Sequence, residues 1–138
     1  MARRDEALGV ARAALARREH SGRSIRERLQ RAGFSVEEAE AAVEELVQEG
    51  LLSEERFAAE RARVLAERGR GDAAIRLELE QEGLRADAIE DALEALEPER
   101  DRAERLVLRR GATPGTARLL VRRGFDEEVV ATAVAQKA

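Results

Sequence analysis

The chain has 138 residues, of which 39% are charged, and its formal net charge is −4. It contains no Cys, Trp or Tyr and only three Phe, which excludes disulfides and thiol chemistry and requires a core of Leu, Val, Ile and Ala. No apolar run approaches the ~20 residues that a membrane span needs, and no apolar signal segment follows Met1. We therefore expect a cytoplasmic protein that does not bind membranes.

The first 50 residues predict three helices. The first helix is expected from Asp5 to about Glu19, because apolar residues recur there at spacings of three and four. Ser24 is expected to cap the second helix, which Gly33 ends. Ser35 is expected to cap the third helix, which has two Glu in its first turn. The inner face of this third helix is predicted to comprise Ala39, Val43, Leu46 and Val47.

Residues 51–97 predict a second set of three helices. Ser53 is expected to start the first of them, and Phe57 falls at helical spacing with later apolar residues, which favours a core position over a ligand-binding one. Asp72 is expected to cap the second helix. Asp87 is expected to open the third, which a proline then breaks.

Residues 98–138 predict a shortened third set. A turn is expected from Ala112 to Thr116, and the last helix, from Asp126 to about Ala135, has only three Val to bury. We expect this helix to be the weakest element and to act as a cap. No stretch alternates between apolar and polar residues over more than a few positions, so we expect no sheet.

The three sets read as a tandem repeat. Gly33, Gly83 and Gly124 each close a short helix and each precedes an apolar residue. A shift of fifty residues superposes the apolar positions of the first set on those of the second, and a shift of forty-one continues the match into the third. Modules of about forty residues are marginal by themselves, so neighbours should stack. We expect an all-α fold of three tandem three-helix repeats, 1–50, 51–97 and 98–138, forming an elongated curved arc.

Catalysis finds little support in the residues. His20 is the only histidine, and it lies in a polar turn where we expect a turn or surface role. Carboxylates are abundant but fall on solvent-facing helix positions, and Gly69 to Gly71 lacks the preceding strand and the lysine of a phosphate-binding loop. We predict no enzyme, no cofactor and no metal site.

Arginines are concentrated in blocks that alternate with acidic blocks. Residues 1–33 hold nine Arg and four acidic residues, whereas residues 34–60 hold one Arg and nine acidic residues. The blocks are interpreted either as solvated faces balanced by the acidic helices or as three repeated patches that bind phosphates or an acidic protein surface. The few aromatic residues argue against stacking on exposed bases. The candidate binding residues are Arg17, Arg18, Arg23, Arg26, Arg68, Arg70, Arg76, Arg109, Arg110, Arg122 and Arg123.

The chain resembles the RecX family of recombinase regulators in four motifs that cover nearly its whole length. They read, in order, RREHSGRSIRERLQRAGF, GLLSEERFA, RGRGDAAIRLELEQEGL and RRGF. The resemblance implies three-helix repeats without enzymatic activity in a cytoplasmic bacterial protein. It also implies binding to the RecA recombinase along the groove of its nucleoprotein filament, with restraint of filament extension, ATP hydrolysis and strand exchange. Some members also bind DNA directly.

The resemblance is strongest at particular positions. The residues that match the family motifs are Arg17, Arg18, His20, Ser21, Arg56, Phe57, Ala58, Arg68, Gly69, Gly71, Ile75, Arg123, Gly124 and Phe125. Members often carry Tyr where this chain has Leu51, Arg61 and Arg70, which weakens the expectation that it contacts bases.

The main hypothesis is therefore a monomeric regulator that spans neighbouring recombinase subunits and presents basic turns and acidic helices to the filament. A second hypothesis is a stand-alone DNA-binding module of helix-turn-helix type, for single- or double-stranded DNA. A third is a helical adaptor for an unrelated partner.

Overall fold

In the computed structural model, which describes residues 2–137, the chain folds into nine α-helices and no strand within that range. The helices are α1 (Ala2–Arg17), α2 (Gly22–Arg31), α3 (Val36–Gln48), α4 (Glu54–Glu67), α5 (Asp72–Gln81), α6 (Ala86–Glu94), α7 (Glu99–Arg110), α8 (Pro114–Arg122) and α9 (Glu127–Lys137). No helix in the described part of the chain is both long and apolar enough to cross a membrane.

Each helix packs mainly within its own set of three consecutive helices, which we name unit 1 (α1–α3), unit 2 (α4–α6) and unit 3 (α7–α9). Each unit has its own apolar core. Helix packing is concentrated within the units, so the prediction of an all-α fold built from three tandem three-helix repeats is confirmed.

The repeat is visible in the cores. Ile25 of α2 and Ile75 of α5, fifty residues apart, are both fully buried. Leu29, Leu79 and Leu120 occupy the equivalent position in the three units, and all three are fully buried as well. Phe57 is buried in the core of unit 2, as its helical spacing predicts. Val47, in contrast, was predicted to face inward but is 51% exposed in the last turn of α3.

Two helix caps agree with the prediction. Ser35 accepts a hydrogen bond from the Glu38 amide at 3.0 Å, and the Glu38 carboxylate accepts one from the Ser35 amide at 2.8 Å, which completes a capping box. Ser53 caps α4 by accepting from the Arg56 amide at 3.2 Å. Both caps are local in sequence, so local pattern suffices to find them.

Two other predicted caps are wrong. Ser21, not Ser24, caps α2, because its hydroxyl oxygen accepts from the Ser24 amide at 3.0 Å and the helix begins earlier than expected. At α5 the cap position is Gly71, and Asp72 is already helical. The Asp72 carboxylate instead accepts a hydrogen bond from Arg102 of unit 3.

The ends of the first and last helices also differ from the prediction. Helix α1 begins at Ala2 and ends at Arg17, where Asp5 to about Glu19 was expected. Asp126 does not begin the last helix but caps it, since its carboxylate accepts from the amides of Glu128 at 2.9 Å and Val129 at 3.1 Å.

The second helices of the three units are joined end to end. The Gly71 amide donates to the Arg123 carbonyl at 2.8 Å, and the Ala73 amide donates to the Gly124 carbonyl at 3.2 Å. The C-terminal carbonyls of α8 thereby satisfy amides at the start of α5 that have no partner within their own helix. Helices α8 and α5 therefore meet with the same polarity, which places opposite ends of their dipoles together.

At the junction between units 1 and 2, the second helices also meet end to end, but side chains make the hydrogen bonds. The Ser21 hydroxyl donates to the Glu82 carboxylate at 2.9 Å, and the Arg23 guanidinium donates to the Gln81 carbonyl. The N-terminal end of α2 therefore meets the C-terminal end of α5. We name helices α8, α5 and α2, which meet end to end in this order, the column.

Glycine is required where α8 meets α5. A Cβ on Gly71 would lie 2.3 Å from the Gly124 carbonyl carbon and from the Phe125 nitrogen. Gly124 has φ +95°, and a Cβ there would lie 2.5 Å from the Ala74 Cβ. Two backbones thus touch directly, and any side chain at either position would force units 2 and 3 apart.

We expect Gly71→Ala to lower the free energy of unfolding by about 1–3 kcal/mol, because the added methyl group overlaps rigid backbone atoms. Urea denaturation followed by circular dichroism measures the change. Gly9→Ala in α1 is the matched control, since a Cβ there meets nothing within 4 Å and should stabilise the helix by about 0.5–1 kcal/mol. A Gly71→Ala protein as stable as the parent chain would contradict the close backbone contact.

Candidate partner-binding surface

Three of the eleven candidate arginines form ion pairs inside the chain. The Arg26 Nε lies 2.7 Å from a Glu40 carboxylate oxygen, and the Arg76 Nε lies 2.9 Å from one of Glu90. These two pairs are equivalent under the fifty-residue shift, and each joins the second helix of its unit to the third. Arg23 pairs with Glu27, one turn along α2, at 3.1 Å. Internal partners thus already occupy these three guanidinium groups.

The other eight candidate arginines differ from these three, because none of their guanidinium groups donates a hydrogen bond or forms an ion pair with any residue from 2 to 137. Seven are exposed and Arg123 is partly buried. Their charges remain available to an external partner. The eight are Arg17, Arg18, Arg68, Arg70, Arg109, Arg110, Arg122 and Arg123.

Four of these arginines are brought together where unit 2 meets unit 3. Arg68 and Arg70 flank Gly69 in the turn between α4 and α5, and the Arg123 Nη1 atom lies 3.0 Å from the position that a Gly69 Cβ would occupy. Arg109 and Gly69 line the same cavity of about 360 Å³, which Glu67 and Glu97 line as well. We name Arg68, Arg70, Arg109 and Arg123 the junction patch.

The junction between units 1 and 2 differs in charge at one equivalent position. A shift of forty-one residues places Glu82 at the position of Arg123, and this carboxylate accepts from the Ser21 hydroxyl. A negative charge therefore stands where the other junction has a positive one. The repeat supplies the same backbone arrangement twice, and only one copy carries the junction patch.

A buried arginine holds the junction patch in place. Arg102 is 6% exposed; its Nε donates to the Glu97 carbonyl at 2.9 Å and its Nη1 donates to the Arg70 carbonyl at 3.0 Å. It also pairs with Asp72, and its guanidinium carbon lies 5.7 Å from the centre of the Phe125 ring. This one side chain therefore joins α7 to the turn that carries Arg68 and Arg70.

A single carboxylate completes the junction. One oxygen of Glu99 accepts from the Asp72 amide at 2.6 Å, and the other accepts from the Asp126 amide at 3.3 Å. A carboxylate at the start of α5 is favoured by the positive end of the helix dipole. Sequence reasoning missed both Glu99 and Arg102, because each lies in a charged stretch at the start of α7 that has no apolar spacing to mark a buried position.

His20 lies in the turn between α1 and α2, as expected, but the predicted surface position is wrong. Its side chain is 1% exposed, and its Nδ1 lies 3.0 Å from the Ser24 hydroxyl oxygen. Burial lowers the pKa of the His20 imidazole, and the nearby guanidinium groups of Arg18 and Arg28 lower this pKa further. The imidazole is therefore neutral at pH 7.

Comparison with known proteins identifies the family. A model described as RecX, second three-helix domain, matches residues 53–93. The regulatory protein RecX of Xanthomonas campestris pv. campestris is 40% identical, over 87% of this chain and 78% of its own length. That of Halorhodospira halophila is 36% identical, over 96% of this chain and 86% of its own length. The chain belongs to the RecX family.

Solved RecX structures share the fold. The crystal structure of RecX from Lactobacillus salivarius matches with a TM-score of 0.80 at 16% identity, covering 97% of this chain and 96% of that one. A second crystal structure of regulatory protein RecX also gives 0.80, at 22% identity, covering 95% of this chain and 71% of that one. Both curated relatives are named as regulatory proteins, so the predicted membership of a regulator family, and not of an enzyme family, is confirmed.

The RecX second-domain match coincides with unit 2. Its range, 53–93, runs from the Ser53 cap of α4 to within one residue of the end of α6. It includes Arg68 and Arg70 of the junction patch and the Gly71 contact. The matched domain thus supplies the turn, and α7 and α8 supply the residues that meet it.

We expect Arg102→Ala to lower the free energy of unfolding by about 2–4 kcal/mol, since it leaves the Asp72 carboxylate and two carbonyls without their donor. Arg100→Ala is the control, because Arg100 is exposed and should change stability by less than about 0.5 kcal/mol. Equal urea midpoints for the two variants would show that Arg102 does not hold the junction.

We expect Arg18→Gln to raise the pKa of His20, because it removes a cation that disfavours the imidazolium. Since the pKa of His20 is lowered on folding, the stability that the neutral imidazole contributes is present above the unfolded value of about 6.5 and is lost as the pH falls through the folded pKa. NMR titration of the imidazole measures both proteins, with Arg31→Gln as control. An unchanged midpoint in Arg18→Gln would contradict the assigned cause.

Proposed function

We propose that this RecX family member binds the RecA recombinase on its nucleoprotein filament and restrains filament extension, ATP hydrolysis and strand exchange. Membership of a family of regulatory proteins supports a protein partner. The proposal places the action in the cytoplasm and assigns it to a monomer.

The junction patch is the observation that supports this proposal most directly. Its arginines have no acidic partner within residues 2–137, yet the turn that carries Arg68 and Arg70 is held by Arg102 and by the Gly71 contact. A positive surface on a turn whose backbone is already held is suited to acidic side chains or to phosphates, because the turn loses little backbone entropy on binding. A protein–DNA filament offers both kinds of negative group.

The architecture fits a repeating target. The column of α8, α5 and α2 fixes the spacing between units, so groups on different units can meet neighbouring subunits in register. Charge alternation along the chain suppresses wrong registers by repulsion more than it adds affinity. The acidic third helices would then face positive regions of the filament.

We expect the double reversal Arg68→Glu with Arg70→Glu to abolish inhibition of RecA ATP hydrolysis on single-stranded DNA, because it inverts the charge of the turn. The matched control is Arg31→Glu with Arg118→Glu, which makes the same change in net charge at exposed arginines outside the junction patch. Circular dichroism should show equal helical content for both. Full inhibition by the Arg68 and Arg70 variant would overturn the role of this turn.

The same four arginines also favour a second candidate, a stand-alone DNA-binding module. If all four contacted phosphates of a single strand, the logarithm of affinity for bare DNA would fall with the logarithm of salt concentration with a slope of roughly −3. Tight binding with this slope, together with no effect on RecA, would favour the second candidate. Inhibition at protein concentrations too low to coat the DNA would favour the regulator.

A further inference from the structure

A second basic site lies in unit 1, separate from the junction patch. A cavity of about 350 Å³ is lined by Ala14, Arg17, Arg18, His20 and Arg28. Its volume is at the lower end of the range for small-ligand pockets. Three guanidinium groups and one imidazole line it, and no carboxylate does.

The arginines of this cavity have no internal partners. None of the three guanidinium groups donates a hydrogen bond to a residue between 2 and 137, and the Arg28 Nε atom is buried without any hydrogen-bond partner. A buried N–H group without an acceptor costs free energy, and an anion in the adjoining cavity would offset this cost through its attraction to the same guanidinium charge. The buried Nε distinguishes this site from arginines that are simply hydrated on a helix face.

The imidazole adds a neutral group to the site. His20 Nδ1 lies 3.0 Å from the Ser24 hydroxyl oxygen. When that hydroxyl donates to Nδ1, the ring proton is on Nε2, which then acts as a donor. Burial and the flanking Arg18 and Arg28 keep the ring neutral by lowering its pKa. The cavity thus combines several donors with a net positive charge.

The repeat provides an internal comparison. A shift of fifty residues places Glu67 at the position of Arg17 and Glu78 at the position of Arg28. Glu67 accepts from Arg63 at 2.7 Å, and Glu78 accepts from Arg61 at 2.5 Å. Unit 2 therefore neutralises this region with its own carboxylates. In unit 1 the three arginines form no ion pair within residues 2–137, and the nearby Glu19 carboxylate pairs with Arg56 of unit 2.

We propose that Arg17, Arg18, His20 and Arg28 form a binding site for a phosphate group, contributed by a nucleic-acid backbone or by a free nucleotide. The planar guanidinium fork matches the oxygens of phosphate, and charge-assisted hydrogen bonds from several arginines give such a site both affinity and orientation. The proposal concerns unit 1 alone and does not depend on filament binding.

The test uses the full chain without recombinase. Sodium phosphate is titrated at constant ionic strength, with chloride as the replaced anion, while NMR follows the Arg28 Nε–H and His20 ring signals at fixed pH. We expect saturable shifts in both groups. The Arg28→Gln and Arg18→Gln variants are followed through the His20 ring signals. Each should weaken phosphate binding about tenfold or more. Arg118→Gln, at an exposed arginine outside both this site and the junction patch, should bind phosphate like the parent chain.

Two results would overturn the proposal: shifts that grow without saturating, or an Arg18→Gln protein that binds phosphate as tightly as the parent chain. Arg18 is exposed, so its variant remains informative if Arg28→Gln fails to fold. Parallel titrations with a mononucleotide and with a single-stranded oligonucleotide lacking terminal phosphates identify the source. Tighter saturation by the oligonucleotide assigns a backbone phosphate, and tighter saturation by the mononucleotide assigns a free nucleotide.

Discussion

The contact on which the arrangement of the units depends is the one between the C-terminal end of α8 and the N-terminal end of α5. Backbone carbonyls of Arg123 and Gly124 satisfy amides of Gly71 and Ala73, with no side chain between them. Each unit has a core of its own, and few apolar side chains join one unit to the next. The orientation of one unit relative to the next is therefore set by hydrogen bonds and by close backbone approach. Because these contacts are directional, they leave little freedom in the angle between units.

Charge is used for two purposes in this chain, and the structure separates them. Arg26 and Arg76 pair with acids on the third helix of their own unit and stabilise it. In unit 3 the equivalent positions are Ala117 and Ala131, so this pair is absent from the terminal unit. The eight remaining candidate arginines, among them Arg68, Arg70 and Arg123, have no such partners within residues 2–137. The basic blocks of the sequence therefore contain both arginines that form internal ion pairs and arginines that supply surface charge. Only the contacts in the structure distinguish the two kinds.

The sequence alone was enough to predict features whose contacts are local in the chain or follow helical spacing. Buried positions such as Ile25 and Ile75 follow from helical spacing, and the Ser35 cap follows from its own next three residues. The Arg26 and Glu40 pair recurs in the second repeat and could have been found by comparing the repeats. The predicted boundaries after residues 50 and 97 stay a prediction.

Features that depend on contacts between units could not be predicted. Ser21 and Ser24 are both suitable caps, and the Ser21 hydroxyl is bound by Glu82, sixty-one residues away. Asp72 does not cap α5 as expected, and its carboxylate instead accepts a hydrogen bond from Arg102. The burial of Arg102 and His20 has no local signal, because both lie in polar stretches that helical periodicity assigns to solvent.

The most direct test of the account is an electron cryo-microscopy reconstruction of this chain bound to RecA filaments on single-stranded DNA. The account predicts that the junction patch faces RecA carboxylates or DNA phosphates, and that units 2 and 3 keep their Gly71 to Gly124 contact in the complex. A bound chain whose Arg68, Arg70, Arg109 and Arg123 all face solvent would contradict it.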